Sequence, residues 1–411
     1  MRPESMILRA AALLAILIAL SARAPGAFAG RLEGVLSEAG VDFPLPQAPA
    51  FKTTVSQIPA GAAASEFEEV PVSIPSHDGW ILRGMLAVPR GAGPETPAVV
   101  LLHMSGAFGM DEDMPETLTH AGRPAKLFKQ LSDALARAGF VVLRYDKRGV
   151  LGWDAQLGTE RVDQAVFGGL TVDDLTKDAA TAVRFLRNGP GGSKRRVLLL
   201  GQSEGTALAP LVAELEPVDG LILMGAMASR FDELLRHQIV ERRIGWALSL
   251  DEDKDGFLSR WETARVPRDF MDLRELIDFH DWDANGDGQL SVAEIRTAFE
   301  TTLENDPQNK TPWYRSHLGL RPTSEVLPEF RGPILILQGD QDANTPVSEA
   351  RLLERSLGDS RHPDFSVEIL PGLGHAFSPP GNGGLPTVGP IAPQALDSVT
   401  RWAQRRFLRL R

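Results

Sequence analysis

The chain has 411 residues, 43 % hydrophobic and 24 % charged, enough to bury a large core with room for an insertion. A formal net charge of -11 argues against a nucleic-acid surface. The absence of cysteine excludes disulfides, a thiolate nucleophile and lipid attachment through sulfur.

Residues 1–29 are expected to be an export signal. Arg2 and Arg9 bring positive charge, Ala10 to Leu20 is almost wholly apolar, and Ala27-Phe28-Ala29 before Gly30 offers the small residues a signal peptidase needs. The apolar run is too short for a comfortable membrane span. The mature chain is therefore expected in the periplasm or outside the cell, without stable membrane insertion. Losing Arg2, Arg9, Arg23 and Glu4 with the signal makes it more acidic still. Residues 30–65, rich in Ala, Pro and Gly, read as an extended lead-in.

Two strand-like runs, Phe67–Ile74 and Trp80–Val88, flank the turn Ser76-His77-Asp78-Gly79 and predict a hairpin. From Ala98 onward, buried strands alternate with amphipathic helices. Strands are expected at Ala98–His103, Phe140–Tyr145, Val197–Leu200 and Gly220–Met224. Helices are expected at Pro124–Ala138, Val172–Leu186 and from Thr206 to Leu215. The alternation breaks from Phe231 to about Pro322. It resumes with a strand at Ile334–Gln338, a helix at Val347–Leu357, a strand at Phe365–Leu370 and a last helix near Gln394–Leu408. This order predicts an α/β fold with a mostly parallel sheet and helices on both faces. The first part of the core is expected over 66–230, a helical cap insertion over 231–322 and the second part of the core over 323–411.

The strand Val197–Leu200 runs through Gly201-Gln202-Ser203-Glu204-Gly205 into a helix. A G-x-S-x-G turn between strand and helix is a nucleophile elbow, in which only small flanking residues let strand and helix approach so closely. Ser203 would stand at the helix N-terminus, where amides and dipole favour negative charge. A serine nucleophile needs a base, and the base needs an orienting acid, in the chain order Ser, acid, His. His375 follows the strand Phe365–Leu370 at its carboxyl end, where such sheets place their sites; His362 precedes that strand. The acid is Asp340 or Asp342, both just after Ile334–Gln338. The loop after Ala98–His103 and the residue after the nucleophile supply the oxyanion amides, here Ser105 and Glu204. His103 reads as a structural brace.

Two acidic segments in the interrupted stretch match the twelve-position EF-hand calcium loop. Side-chain oxygens come from Asp251, Asp253 and Asp255 in the first, and from Asp283, Asn285 and Asp287 in the second. Phe257 and Gln289 give a carbonyl, Ser259 and Ser291 reach through water, and Glu262 and Glu294 close the sphere as bidentate ligands. Gly256 and Gly288 fall where the loop turns sharply. Two calcium ions and no organic cofactor are expected.

With these motifs the chain resembles the α/β-hydrolase superfamily, and within it the dienelactone-hydrolase-like esterases. The likeness covers about Phe67–Arg230 and Pro333–Arg411 and is carried by LLHMSGAFG, VVLRYDKRG, LLLGQSEGT, LQGDQDANTP and PGLGHAF. It implies that Asp342, in the spacing Gly339-x-x-Asp342, is the acid, and that Asp146 and Arg148 brace a loop. The chain departs from the family pattern at Met104, where glycine is usual, and at Gln202 and Thr206, where histidine and glycine are usual. The implied activity is hydrolysis of a small-molecule ester through an acyl-enzyme. A serine peptidase acting on a peptide-like substrate is the alternative on the same scaffold. A calcium-dependent binding protein with a degenerate hydrolase domain is the alternative of another class.

Overall fold

The computed structural model describes residues 66–114, 119, 125–154, 158–188, 195–264, 277–380 and 388–408; the expected export signal and lead-in lie outside them. Strands β1 (Phe67–Pro75), β2 (Ile81–Pro89), β3 (Ala98–Leu102) and β4 (Val141–Tyr145) are followed by a small hairpin of β5 (Val150–Asp154) and β6 (Thr159–Val162). Then come β7 (Val197–Gln202), β8 (Gly220–Met224), the short pair β9 (Phe257–Ser259) and β10 (Gln289–Ser291), β11 (Ile334–Gly339) and β12 (Phe365–Leu370). Eight of these form one sheet in the order β1-β2-β4-β3-β7-β8-β11-β12. The β1–β2 and β2–β4 pairings are antiparallel; every pairing from β4 to β12 is parallel.

The central strands are buried along their whole length, so their side chains must be covered on both faces. Alternate residues supply the two sides. Val100, Leu102, Leu199, Leu223 and Ile336 enter one apolar cluster, and Val99, Leu101, Leu198, Leu200 and Leu337 enter the other. Helices α1 (Leu127–Arg137), α2 (Val172–Arg187), α3 (Glu204–Leu215), α4 (Phe231–Arg236), α5 (Arg242–Leu248), α6 (Val292–Glu304), α7 (Pro312–Leu318), α8 (Val347–Asp359) and α9 (Pro393–Phe407) follow in chain order. α2, α3 and α8 cover the first face, and α1 and α9 the second. α2 starts where Thr171 and Asp174 cap each other's backbone amides.

Between β8 and β11 the chain leaves the sheet. α4 runs through a π-helical turn, His237–Glu241, into α5, and these helices share an apolar cluster with α6 and the β9–β10 pair. Leu258 lies opposite Leu290 in that pair, and both are fully buried. The β5–β6 hairpin has no counterpart among the expected elements. Its strands are short, and Leu151 and Trp153 are exposed, so no buried alternation marks them in the sequence. Among the described residues no helix is long and apolar enough to cross a membrane.

Candidate active site

Ser203 is the single residue between β7 and α3. Its φ of 52° and ψ of −114° are a conformation side-chain-bearing residues rarely hold, at a cost of about 1–3 kcal/mol. The neighbours explain why the turn can be so tight. A Cβ on Gly201 would lie 2.2 Å from the Gly205 carbonyl oxygen, and one on Gly205 would lie 2.2 Å from that of Leu102. The Ser203 amide donates to the Met224 carbonyl at 2.9 Å, which fixes the turn to the end of β8.

The next residue along β8's exit, Gly225, faces the imidazole of His375: a Cβ there would sit 3.2 Å from its Nδ1 and Cε1. Serine and histidine are thus gathered about the same strand end. His375 Nδ1 lies 2.8 Å from Asp342 Oδ2. The Asp342 carboxylate also accepts from Gln338 Nε2 and Thr345 Oγ1 at 2.8 Å, and from the amides of Asn344 and Thr345 at 2.8 and 2.9 Å. Burial alone would raise this carboxyl, but His375 and the Thr345 donors outweigh it and hold Asp342 below the ordinary carboxylate value. Asp340 is exposed and accepts from the Gly372 amide at 2.7 Å, tying the turn after β11 to the turn after β12. His362 lies at the opposite end of β12, with Nε2 2.6 Å from the Phe330 carbonyl oxygen.

The Ser105 amide has no hydrogen-bond partner among the described residues. Glu204 is the first residue of α3, so its amide has no partner within the helix. Met104, which follows β3 in the loop expected to carry an oxyanion amide, is buried and held on both sides. Its amide donates to Glu112 Oε1 at 3.0 Å and its carbonyl accepts from Lys147 Nζ at 2.7 Å. Glu112 is fully buried, and that burial pushes its carboxyl up to about 8. Burial and the nearby Lys147 lower His103 to about 3, and its ring packs on Phe128 and Tyr145. Arg148 bonds Asp78 and Asp178, while Asp146 accepts from the Met110 amide. Gln202 is completely buried, and neither atom of its side-chain amide has a partner among the described residues.

Sequence reasoning missed the surroundings of the Glu204 side chain. Lys147 Nζ lies 2.7 Å from its Oε2; Trp313 Nε1 and His317 Nε2, both from α7, lie 2.5 and 3.1 Å from its Oε1. Burial would raise Glu204, yet Lys147 and His317 outweigh it and hold the carboxyl below its usual range. Lys147 belongs to the RYDKRG motif, so a signal was present; Trp313 and His317 carry none.

A family model described as the alpha/beta hydrolase family matches residues 99–381. The chain belongs to that family. Esterase EstD of Thermotoga maritima is 31 % identical over 234 residues, which is 54 % of this chain and 50 % of the relative. The chain thus spans about half the length of the curated relative it matches. Among solved structures, Est1E from Butyrivibrio proteoclasticus is 15 % identical, with a TM-score of 0.44 over 82 % of this chain and 99 % of that one. A putative dienelactone hydrolase from Klebsiella pneumoniae is 13 % identical, with a TM-score of 0.45 over 84 % and 99 %.

In this alpha/beta hydrolase the two acidic loops run into β9 and β10 and lie against each other through that short sheet. Carboxylate oxygens of Asp251, Asp253 and Asp255 all lie within 4.8 Å of one another. Gly256 (φ 87°) and Gly288 (φ 83°) turn the backbone so that their amides donate to Asp251 and Asp283, each at 2.9 Å. Asn285 accepts from the Asp287 amide, and Asp287 from that of Gln289. Phe257 and Gln289 open the paired strands. Glu262 and Glu294 each accept from the serine three residues earlier, Ser259 or Ser291, through amide and hydroxyl. These bonds hold both glutamates below the ordinary value, against burial at Glu262. Converging hard oxygens on a sharply turned loop suit a hard divalent cation.

Proposed function

We propose that this alpha/beta hydrolase cleaves carboxylic esters through an acyl-enzyme, with Ser203 as nucleophile, His375 as base and Asp342 as the acid that orients it. The observation that carries the reading is the buried Asp342–His375 contact at 2.8 Å, beside the strand end that holds the strained Ser203. Nδ1–H of the imidazole donates to Asp342, so Nε2 is the nitrogen free to take the serine proton. In this reading the proton passes from Ser203 to His375 as the acyl carbon is attacked, and from His375 to the departing alcohol. Water then repeats the sequence in reverse. The amides of Ser105 and Glu204 receive the oxyanion. The likeness to Esterase EstD favours an ester over a peptide.

The reading includes two structural calcium ions in the loops Asp251–Glu262 and Asp283–Glu294. Bound there, each cation would neutralise clustered carboxylates and hold its loop to the β9–β10 pair; the hydrolysis steps use none of them. Export to the periplasm or beyond, proposed from residues 1–29, supplies the calcium-rich surroundings that weak sites need. Turnover of short-chain p-nitrophenyl esters by the native chain and by Ser203→Ala tests the mechanism. Loss of at least about a thousandfold in kcat with unchanged fold is expected; near-native turnover in a folded Ser203→Ala protein refutes it.

A further inference from the structure

Among the described residues the buried ammonium of Lys147 has two hydrogen-bond partners, and both belong to the proposed oxyanion site. It donates to the Met104 carbonyl and to the Glu204 carboxylate, each at 2.7 Å. The Met104 carbonyl is one end of the peptide group whose other end is the Ser105 amide. In a trans peptide the C=O and N–H point in opposite directions, so fixing the oxygen on Lys147 turns the Ser105 N–H away from the ion pair. The Ser105 amide has no hydrogen-bond partner among the described residues. Glu204 supplies the second amide from the first turn of α3, and its side chain is the other end of the same ion pair. One side chain therefore grips both donors, one through its peptide and the other through its carboxylate.

We propose that Lys147 is the positioning residue of the oxyanion site, setting the Met104–Ser105 peptide and the head of α3 in fixed register. The proposal rests on the serine-hydrolase reading. Lys147 does not touch the reacting atoms; it acts through the two amides. The arrangement also accounts for Met104, which departs from the glycine usual in the family. With Met104 N–H on Glu112 and Met104 C=O on Lys147, the loop is held by two side-chain anchors instead of by glycine geometry. The positive charge next to the carbonyl oxygen also polarises that peptide and makes its N–H a stronger donor.

The test compares the full-length native chain with Lys147→Met, using a p-nitrophenyl ester and a phenylboronic acid that forms a tetrahedral adduct on serine. A misplaced oxyanion donor weakens only the transition state. So kcat is expected to fall about a hundredfold with KM changed less than about twofold, and the boronate to bind weaker by a similar factor. A folded Lys147→Met with kcat within about threefold of native, or with the whole loss in KM, overturns the proposal. If the lone substitution fails to fold because Glu204 is left buried and unpaired, Lys147→Met/Glu204→Gln removes both charges and is held to the same outcomes. A crystal structure of the native chain with the boronate needs no variant. A boronate oxygen within hydrogen-bond reach of the Ser105 and Glu204 amides is expected. An adduct on Ser203 whose oxygen meets other donors overturns the role of Lys147 while leaving Ser203 as nucleophile. Full activity in Ser203→Ala removes the nucleophile reading itself.

Discussion

The Asp342 carboxylate accepts five hydrogen bonds, a number that leaves it no freedom to turn. Asp340, two residues earlier, has one bond to a backbone amide at the surface. The sequence placed both acids after the same strand, and the difference between them is one of burial and partners. Asp342→Asn is therefore expected to lower kcat by about 10²–10⁴-fold, and Asp340→Asn by less than about threefold, measured on the same ester. The reverse order would move the acid to Asp340. His375→Ala should match Ser203→Ala, since the two act as one unit. Glu112 gives a prediction in pH. Its carboxyl is raised from 4.5 to about 8, so between those values the native state carries a proton that the unfolded chain has lost. Its contribution to stability is then fullest below the unfolded value and falls as pH rises to about 8. Glu112→Gln keeps an oxygen for the Met104 amide and cannot ionise. Thermal melts at several pH values should show a flatter profile for it over that window; a slope equal to the native one would contradict the assignment.

At the level of elements, β9 and β10 are three residues each, too short to hold together by backbone bonds alone. Their stability comes from Leu258 and Leu290, opposite each other and buried among Phe231, Ile239, Ile244 and Phe299. Leu258→Ala or Leu290→Ala is expected to cost about 2–5 kcal/mol locally, read as lost hydrogen-exchange protection in α5 and α6 while the amides of β7 and β8 stay protected. Equal loss in the central sheet would show the insertion and the sheet to be one cooperative unit. Most of the sheet was legible in the sequence because its central strands are unbroken apolar runs punctuated by glycine-bearing turns. The elbow was legible because Gly201 and Gly205 each stand two residues from Ser203 in one continuous stretch. The grip of Lys147, Trp313 and His317 on Glu204 was not. It joins side chains from three separate segments, and nothing in local spacing records a contact made through folding. The β5–β6 hairpin escaped notice for the opposite reason, having exposed side chains where a strand is expected to bury them.

For the molecule as a whole, the described residues of the insertion meet the candidate site at two places. Gln238 Nε2 and Arg242 Nη1 donate to the Asn344 carbonyl and side-chain oxygens at 3.0 and 2.6 Å, beside Asp342. Trp313 and His317 meet Glu204; Trp313 also packs edge-to-face on Phe231, and His317 lies tilted over it, at the entry to the insertion. A change in the acidic loops thus has a physical route to the neighbourhood of both Asp342 and Glu204, the proposed acid and a proposed oxyanion donor. If each loop binds calcium with a Kd of about 10 µM, about 1 mM calcium stabilises it by about 2.7 kcal/mol. Chelation is then expected to lower the melting temperature and kcat/KM together. Glu262→Gln and Glu294→Gln should each reproduce part of both effects in calorimetry and ester assays. Unchanged melting and turnover under chelation would mean that the loops do not bind calcium in a way the fold uses. The central claim, that Ser203 is the nucleophile, is tested most directly by labelling the full chain with a fluorophosphonate and mapping the adduct by peptide mass spectrometry. One equivalent on Ser203, with ester turnover lost in proportion to labelling, is the predicted result; an adduct on another residue, or turnover that survives complete modification of Ser203, would contradict it.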